Sequence, residues 1–95
     1  MATDWLRTLK ERSELALKTT RAMPGYLADP SHSLDEIEHL HDVVTKCSKE
    51  MTRLKGQLRR AKVDASLRKS ADSLKVVWDD IGHVVSDRLE EMRRH

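Results

Sequence analysis

The sequence predicts an all-α protein, an antiparallel three-helix bundle or coiled coil with helices at approximately 3–22, 34–62 and 66–94 in a single domain, 1–95. Three observations carry this. Only three Gly and two Pro punctuate 95 residues and Phe is absent, which disfavours a sandwich or barrel built on many turns. Ala, Leu, Glu, Lys and Arg, the strong helix formers, are used heavily. Apolar residues recur at alternating spacings of three and four in two long runs, as in helices that bury one stripe.

The first helix is expected to start at Thr3 as N-cap, with Asp4 favourable in the opening turn. Trp5, Leu6, Leu9, Ala16, Leu17 and Thr20 give it a loose apolar stripe, and Pro24-Gly25 is expected to end it. Residues 23–33 then form a loop from which Tyr26 and Leu27 pack back onto the bundle.

Ser33 with Glu36 forms a capping box that opens the second helix. Its seam runs Ile37, Leu40, Val44, Cys47, Met51, Leu54, Leu58, Ala61 and Ala65. The third run is Leu67, Ala71, Leu74, Trp78, Ile81, Val85, Arg88 and Met92. Leu58 and Leu67 would lie on opposite faces of one continuous helix, so a tight turn near 63–66, capped by Asp64 or Ser66, resolves the phase. The rival arrangement is one unbroken helix over 34–94 that shows its stripes to different partners. The expected core anchors are Trp5, Ile37, Leu40, Val44, Met51, Leu54, Leu58, Leu74, Trp78, Ile81, Val85 and Met92.

The third run, with Leu74, Trp78, Ile81, Val84, Arg88 and Met92, resembles the last helix of a spectrin repeat, in which a central Trp is followed by an Arg ten residues later. Leu34, Ile37, Glu38, Leu40 and His41 are similar to that family's segment at the start of its second helix, and Trp5 adds to the likeness. The span from Leu34 to Trp78 is shorter than the family's. The resemblance implies a three-helix coiled coil that works as a spacer or docking surface without catalysis.

Chemistry-bearing motifs are sparse. Glu36-x-x-His39, Glu38-x-x-His41 and Asp80-x-x-His83 echo the inward Glu-x-x-His pairs of di-iron bundles. The seam assignment turns most of these side chains toward solvent, so no metal site is expected. Cys47 falls on the seam as a small hydrophobe, and a single cysteine forms no internal disulfide. No Ser-His-Asp grouping, phosphate-cradling Gly loop or paired-carboxylate pocket is apparent. No enzyme activity, catalytic residue, cofactor or small-molecule substrate is expected.

Charge is segmented although the net is only +2. Residues 29–45 hold five acids and no Lys or Arg; residues 46–69 hold nine bases against Glu50 and Asp64; residues 70–92 hold six acids against Lys75 and Arg88. A hairpin would gather the bases at the turn between helices two and three. Part of this suits helix dipoles, and part offers a basic tip to an acidic partner. The tip has no aromatic residue for stacking, which counts against nucleic acid.

The expected function is therefore a non-catalytic protein–protein interaction or scaffold module, docking a partner helix or self-associating through Val43, Val77, Val84 and Leu89 beside the main seams. The alternative is a basic-tipped regulator that binds nucleic acid or an acidic protein through Arg59, Arg60 and Lys62. A microbial or viral helical adaptor or chaperone is a third. No apolar run is long enough to span a bilayer, and the first residues lack a secretory-signal pattern, so a cytoplasmic place is expected.

Overall fold

The computed structural model describes residues 4–94. Among these it is all-helical: α1 is Trp5–Ala28, α2 is Leu34–Arg60 and α3 is Ala65–Arg94. The three pack as an elongated bundle measuring 49 × 21 × 19 Å. Arg93 reaches Glu38 and Lys55 reaches Asp72, so α2 and α3 run antiparallel. Leu9 and Ser13 lie beside Lys69, Ser70 and Ser73, and Thr20 and Leu27 lie beside Val77 and Val84, so α1 runs parallel to α3 and antiparallel to α2, to which Arg12 pairs through Glu50 at 2.9 Å.

The first helix departs from expectation at both ends. Its N-cap is Asp4, whose carboxylate accepts from the Arg7 amide at 3.0 Å; Thr3 lies outside the described residues. It also continues through Pro24 to Ala28. Proline removes one amide and crowds the carbonyl four residues back, a cost of ~3 kcal/mol in a helix interior. Thr20 and Pro24 face solvent, where water can serve the freed carbonyl. Met23 is buried, and Tyr26 and Leu27 pack against the core, so burial beyond the proline offsets the break.

The α1–α2 connection is accordingly short and well bonded. Asp29 Oδ1 accepts from the Ser31 amide at 2.9 Å, and the His32 ring stacks on Tyr26 with centroids 3.8 Å apart. Ser33 Oγ accepts from the Glu36 amide at 3.2 Å, as a capping box requires. The Glu36 carboxylate turns to His32 Nδ1, 2.7 Å away, and accepts from Ser33 Oγ. The hydrogen bond with His32, aided by the Ser33 amide, holds the Glu36 carboxyl below its usual range.

Between α2 and α3 the chain turns at Lys62, whose φ of 54° lies in the left-handed region. The Asp64 carbonyl accepts from Leu67 and Arg68 and starts α3. Two helices with a tight turn are thus established, in place of one continuous rod.

Trp78, Ile37, Met51, Leu58, Val44 and Val85 are fully buried at the centre. Leu54, Leu74 and Ile81 are also buried, while Trp5, Leu40 and Met92 are half-buried against the core. Several placements correct the expected stripes. Ala61 and Ala65 are exposed, because the second seam ends with the helix at Leu58. Leu6 and Leu17 are 67% and 55% exposed, since the buried line of α1 is Leu9, Ala16 and Met23 and those two lie about 80–100° around the helix from it. Leu89 is 4% exposed and belongs to the core.

Candidate functional site

Three surfaces concentrate features that a ligand or partner can use. The first lies along α1 and α3. A depression of about 510 Å³ is lined by Thr20, Met23, Pro24 and Leu27 from α1 and by Val77, Asp80, Ile81 and Val84 from α3. A second depression toward the α1 N-terminus is lined by Leu9, Ser13, Lys69, Ser70, Ser73, Leu74 and again Val77. The two form one furrow with Val77 at its middle. Val77, Val84 and Leu17 are 37%, 50% and 55% exposed and leave this face as an apolar surface that no described element covers, whereas Val76, 57% exposed, lies about 100° around α3 from Val77 on the outer side of the helix. Contiguous exposed aliphatics of this kind mark interaction sites in soluble proteins.

The second surface is polar. Ser48 of α2 meets Lys75 and Asp79 of α3, with Lys75 Nζ donating to both Asp79 carboxylate oxygens at 2.7 and 2.6 Å and Ser48 Oγ donating to Asp79 Oδ1. The Lys75 ammonium, then the Ser48 hydroxyl, hold the Asp79 carboxyl below its ordinary value. His41 and His83 flank the same furrow, which Trp78 and Gly82 floor. The Trp78 indole N–H is buried without a hydrogen-bond partner. The Asp79 carboxylate accepts from both Lys75 and Ser48, so the cluster ties α2 to α3.

The third surface is the basic tip. Lys55, Arg59, Arg68 and Lys69 border a hollow of about 280 Å³ over Leu58 and Ala71, with Asp72 at its edge. Lys55 is already paired with Asp72 at 3.0 Å. Arg59, Arg60 and Lys62 are all exposed, and Lys62 sits in the turn itself.

These positions sort the partner residues expected from sequence. Val77 and Val84 lie together on the α1–α3 furrow. Val43 is exposed but is one turn from Leu40, on the α1-facing flank of α2, where Leu15, Ala22 and Tyr26 form a separate groove with Leu40. Leu89 is withdrawn into the core. Leu17 and Val76 were not anticipated as surface residues; their angular offset from the buried line is the sequence signal that identifies them. The Ser48–Lys75–Asp79 cluster was also missed. Lys75 and Asp79 at i and i+4 are visible in the sequence, but Ser48 joins them only through the α2–α3 register.

Comparison of the chain with protein-family models, with curated proteins and with solved structures finds no match.

Among the described residues no three His, Cys, Asp or Glu side chains gather as a metal would require. His39 and His83 are exposed, and His32 is engaged by Glu36. Cys47 is half-buried; burial, then the nearby Glu50, push its thiol up, against the opposing pull of Arg12. No described helix is long and apolar enough to cross a membrane.

Proposed function

We propose that this chain is a non-catalytic interaction module, a spectrin-like helical scaffold or adaptor of the cytoplasm that docks a polypeptide on its α1–α3 face. The observation that carries this reading is the uncovered apolar furrow centred on Val77, with Val84 in its lining and Leu17 exposed beside it. An amphipathic helix laid in such a groove places residues at i, i+3, i+4 and i+7 against it, and each buried aliphatic removes apolar area from water at about 25 cal/mol per Å².

The reading is tested with a photo-crosslinking side chain in place of Val77, in the full chain mixed with extract, against the same group in place of Asp42. A discrete polypeptide adduct from the first position, lost on Val84→Asp, is expected. Equal labelling from both positions overturns it.

The basic hollow favours a second reading, in which Arg59, Arg60 and Lys62 draw an acidic protein or nucleic acid to the tip. Arg59→Glu with Arg60→Glu and Lys62→Glu abolishes binding under that reading and leaves α1–α3 docking intact.

A further inference from the structure

We propose that the occupant of the α1–α3 face is a second copy of this chain, packed antiparallel about a two-fold axis near residue 78 so that Lys69 of each copy meets Asp87 of the other. The proposal rests on the docking reading of that face and names its partner.

The charges of α3 divide by flank. Most of those facing α2 are engaged within the chain, Asp72 with Lys55, Asp79 with Lys75 and Ser48, and Arg93 with Glu38, while Arg68 stands over the basic hollow without an ion pair among the described residues. On the outward flank beside Val77, Lys69 and Asp87 are exposed and neither takes part in an ion pair among the described residues. Their spacing of eighteen residues is five full helical turns, so they stand in line on one face about 27 Å apart. The midpoint of that line is residue 78, beside Val77 at the middle of the furrow.

An antiparallel copy centred there brings both opposite-charge pairs into register at once. A parallel copy sets Lys69 against Lys69 and Asp87 against Asp87. The same axis sets the exposed Val84 of one copy over the small Ser73 of the other, a large side chain against a small one. Isologous contact of this kind is the commonest way for a chain to cover its own apolar patch. Asp80 lies two residues from the axis in both copies, so its two carboxylates oppose each other and limit the affinity.

Sedimentation equilibrium of the purified full chain across a wide concentration range tests this. A monomer–dimer equilibrium is expected. Lys69→Glu or Asp87→Lys alone weakens it about tenfold, because each replaces two attractive pairs by two repulsive ones, and the double charge swap restores it. Asp80→Asn tightens it. In a Cys47→Ala background, Lys69→Cys mixed with Asp87→Cys gives a disulfide-linked heterodimer on oxidation, and neither alone gives a linked homodimer.

A monomer at every concentration overturns the dimer while the Val77 crosslink to another polypeptide stands. A double swap no stronger than the single variants, or a linked Lys69→Cys homodimer, overturns the antiparallel register. A dimer unaffected by Val77→Asp overturns the use of this face altogether.

Discussion

Trp78 is the strongest single test of how this bundle holds together. It is 2% exposed and the largest of the fully buried side chains, set where α2 and α3 close on each other. Burying an indole removes ~200 Å² from water, which at ~25 cal/mol per Å² is ~5 kcal/mol, and ~3–4 kcal/mol once the unfolded chain's own compaction is allowed for. Truncation adds the cavity left behind, and large-to-small changes of this kind cost ~3–5 kcal/mol. A chain of this length holds only ~5–14 kcal/mol in total, so Trp78→Ala should remove about a fifth or more of its stability. Trp78→Phe keeps most of the ring and deletes an indole N–H that has no partner, so it should cost only ~1 kcal/mol. Trp5→Ala, at a half-buried position at the start of α1, should cost ~1–2 kcal/mol. Urea unfolding followed by far-UV circular dichroism resolves all three, at dilute protein so that self-association does not add to the apparent stability. A loss below ~2 kcal/mol for Trp78→Ala, or one smaller than that of Trp5→Ala, would refute the placement of the core's centre.

Pro24→Ala and Gly25→Ala should each stabilise, by ~1–3 and ~0.5–1 kcal/mol, because both positions are exposed helix interior and a Cβ at Gly25 meets nothing within 4 Å; thermal melts check this. Lys62→Gly should add ~0.5–1 kcal/mol by relieving the left-handed backbone at φ 54°, and a lowered melting temperature would contradict it. Acid should destabilise the bundle. Asp79 is held below its ordinary value in the folded state, so its contribution is complete above the unfolded value and is lost as pH falls through the lowered folded one; Asp79→Asn, scanned by denaturation against pH, should flatten that limb. Amide hydrogen exchange should show α1 opening before α2 and α3, because it buries only Leu9, Ala16 and Met23; uniform protection across all three helices would contradict this.

The two long helices were legible because their signals agree. Ser33 marks a start, the three–four spacing persists through Leu58 and from Ala71 onward, and the phase break between them demands a turn that Lys62 makes without glycine. What sequence did not convey is tertiary compensation. Pro24 reads locally as a stop, and only the burial of Met23 and the packing of Tyr26 and Leu27 beyond it show why the helix goes on. Neighbours one residue apart were also ambiguous. Val84 and Val85 both fit an apolar run, yet Val85 is fully buried and Val84 half-exposed, a difference set by about 100° of helical rotation. The same rotation places Leu89, rather than Arg88, on the buried line.

The open face follows from the weakness of α1 as an amphipath. Its core positions recur only every seventh residue, at Leu9, Ala16 and Met23, and the middle one is a methyl group. The intervening positions that a full seam would fill with Leu hold Arg12, which turns to Glu50, and Thr19, which returns its hydroxyl to the Leu15 carbonyl. A stripe that narrow seals the inner line of the bundle but not the shoulder of α3 on either side of Val77. Part of the aliphatic surplus of α3 is therefore left at the surface: Val77 and Val84 occupy positions that a wider α1 would cover. Val77 and Val84 are about half-buried in the monomer, so each leaves part of its side chain for a further contact. Under the proposed docking reading they are surface held for a second polypeptide, and the unpaired Lys69 and Asp87, five turns apart along the outer flank of α3, match the charge pattern of an antiparallel copy.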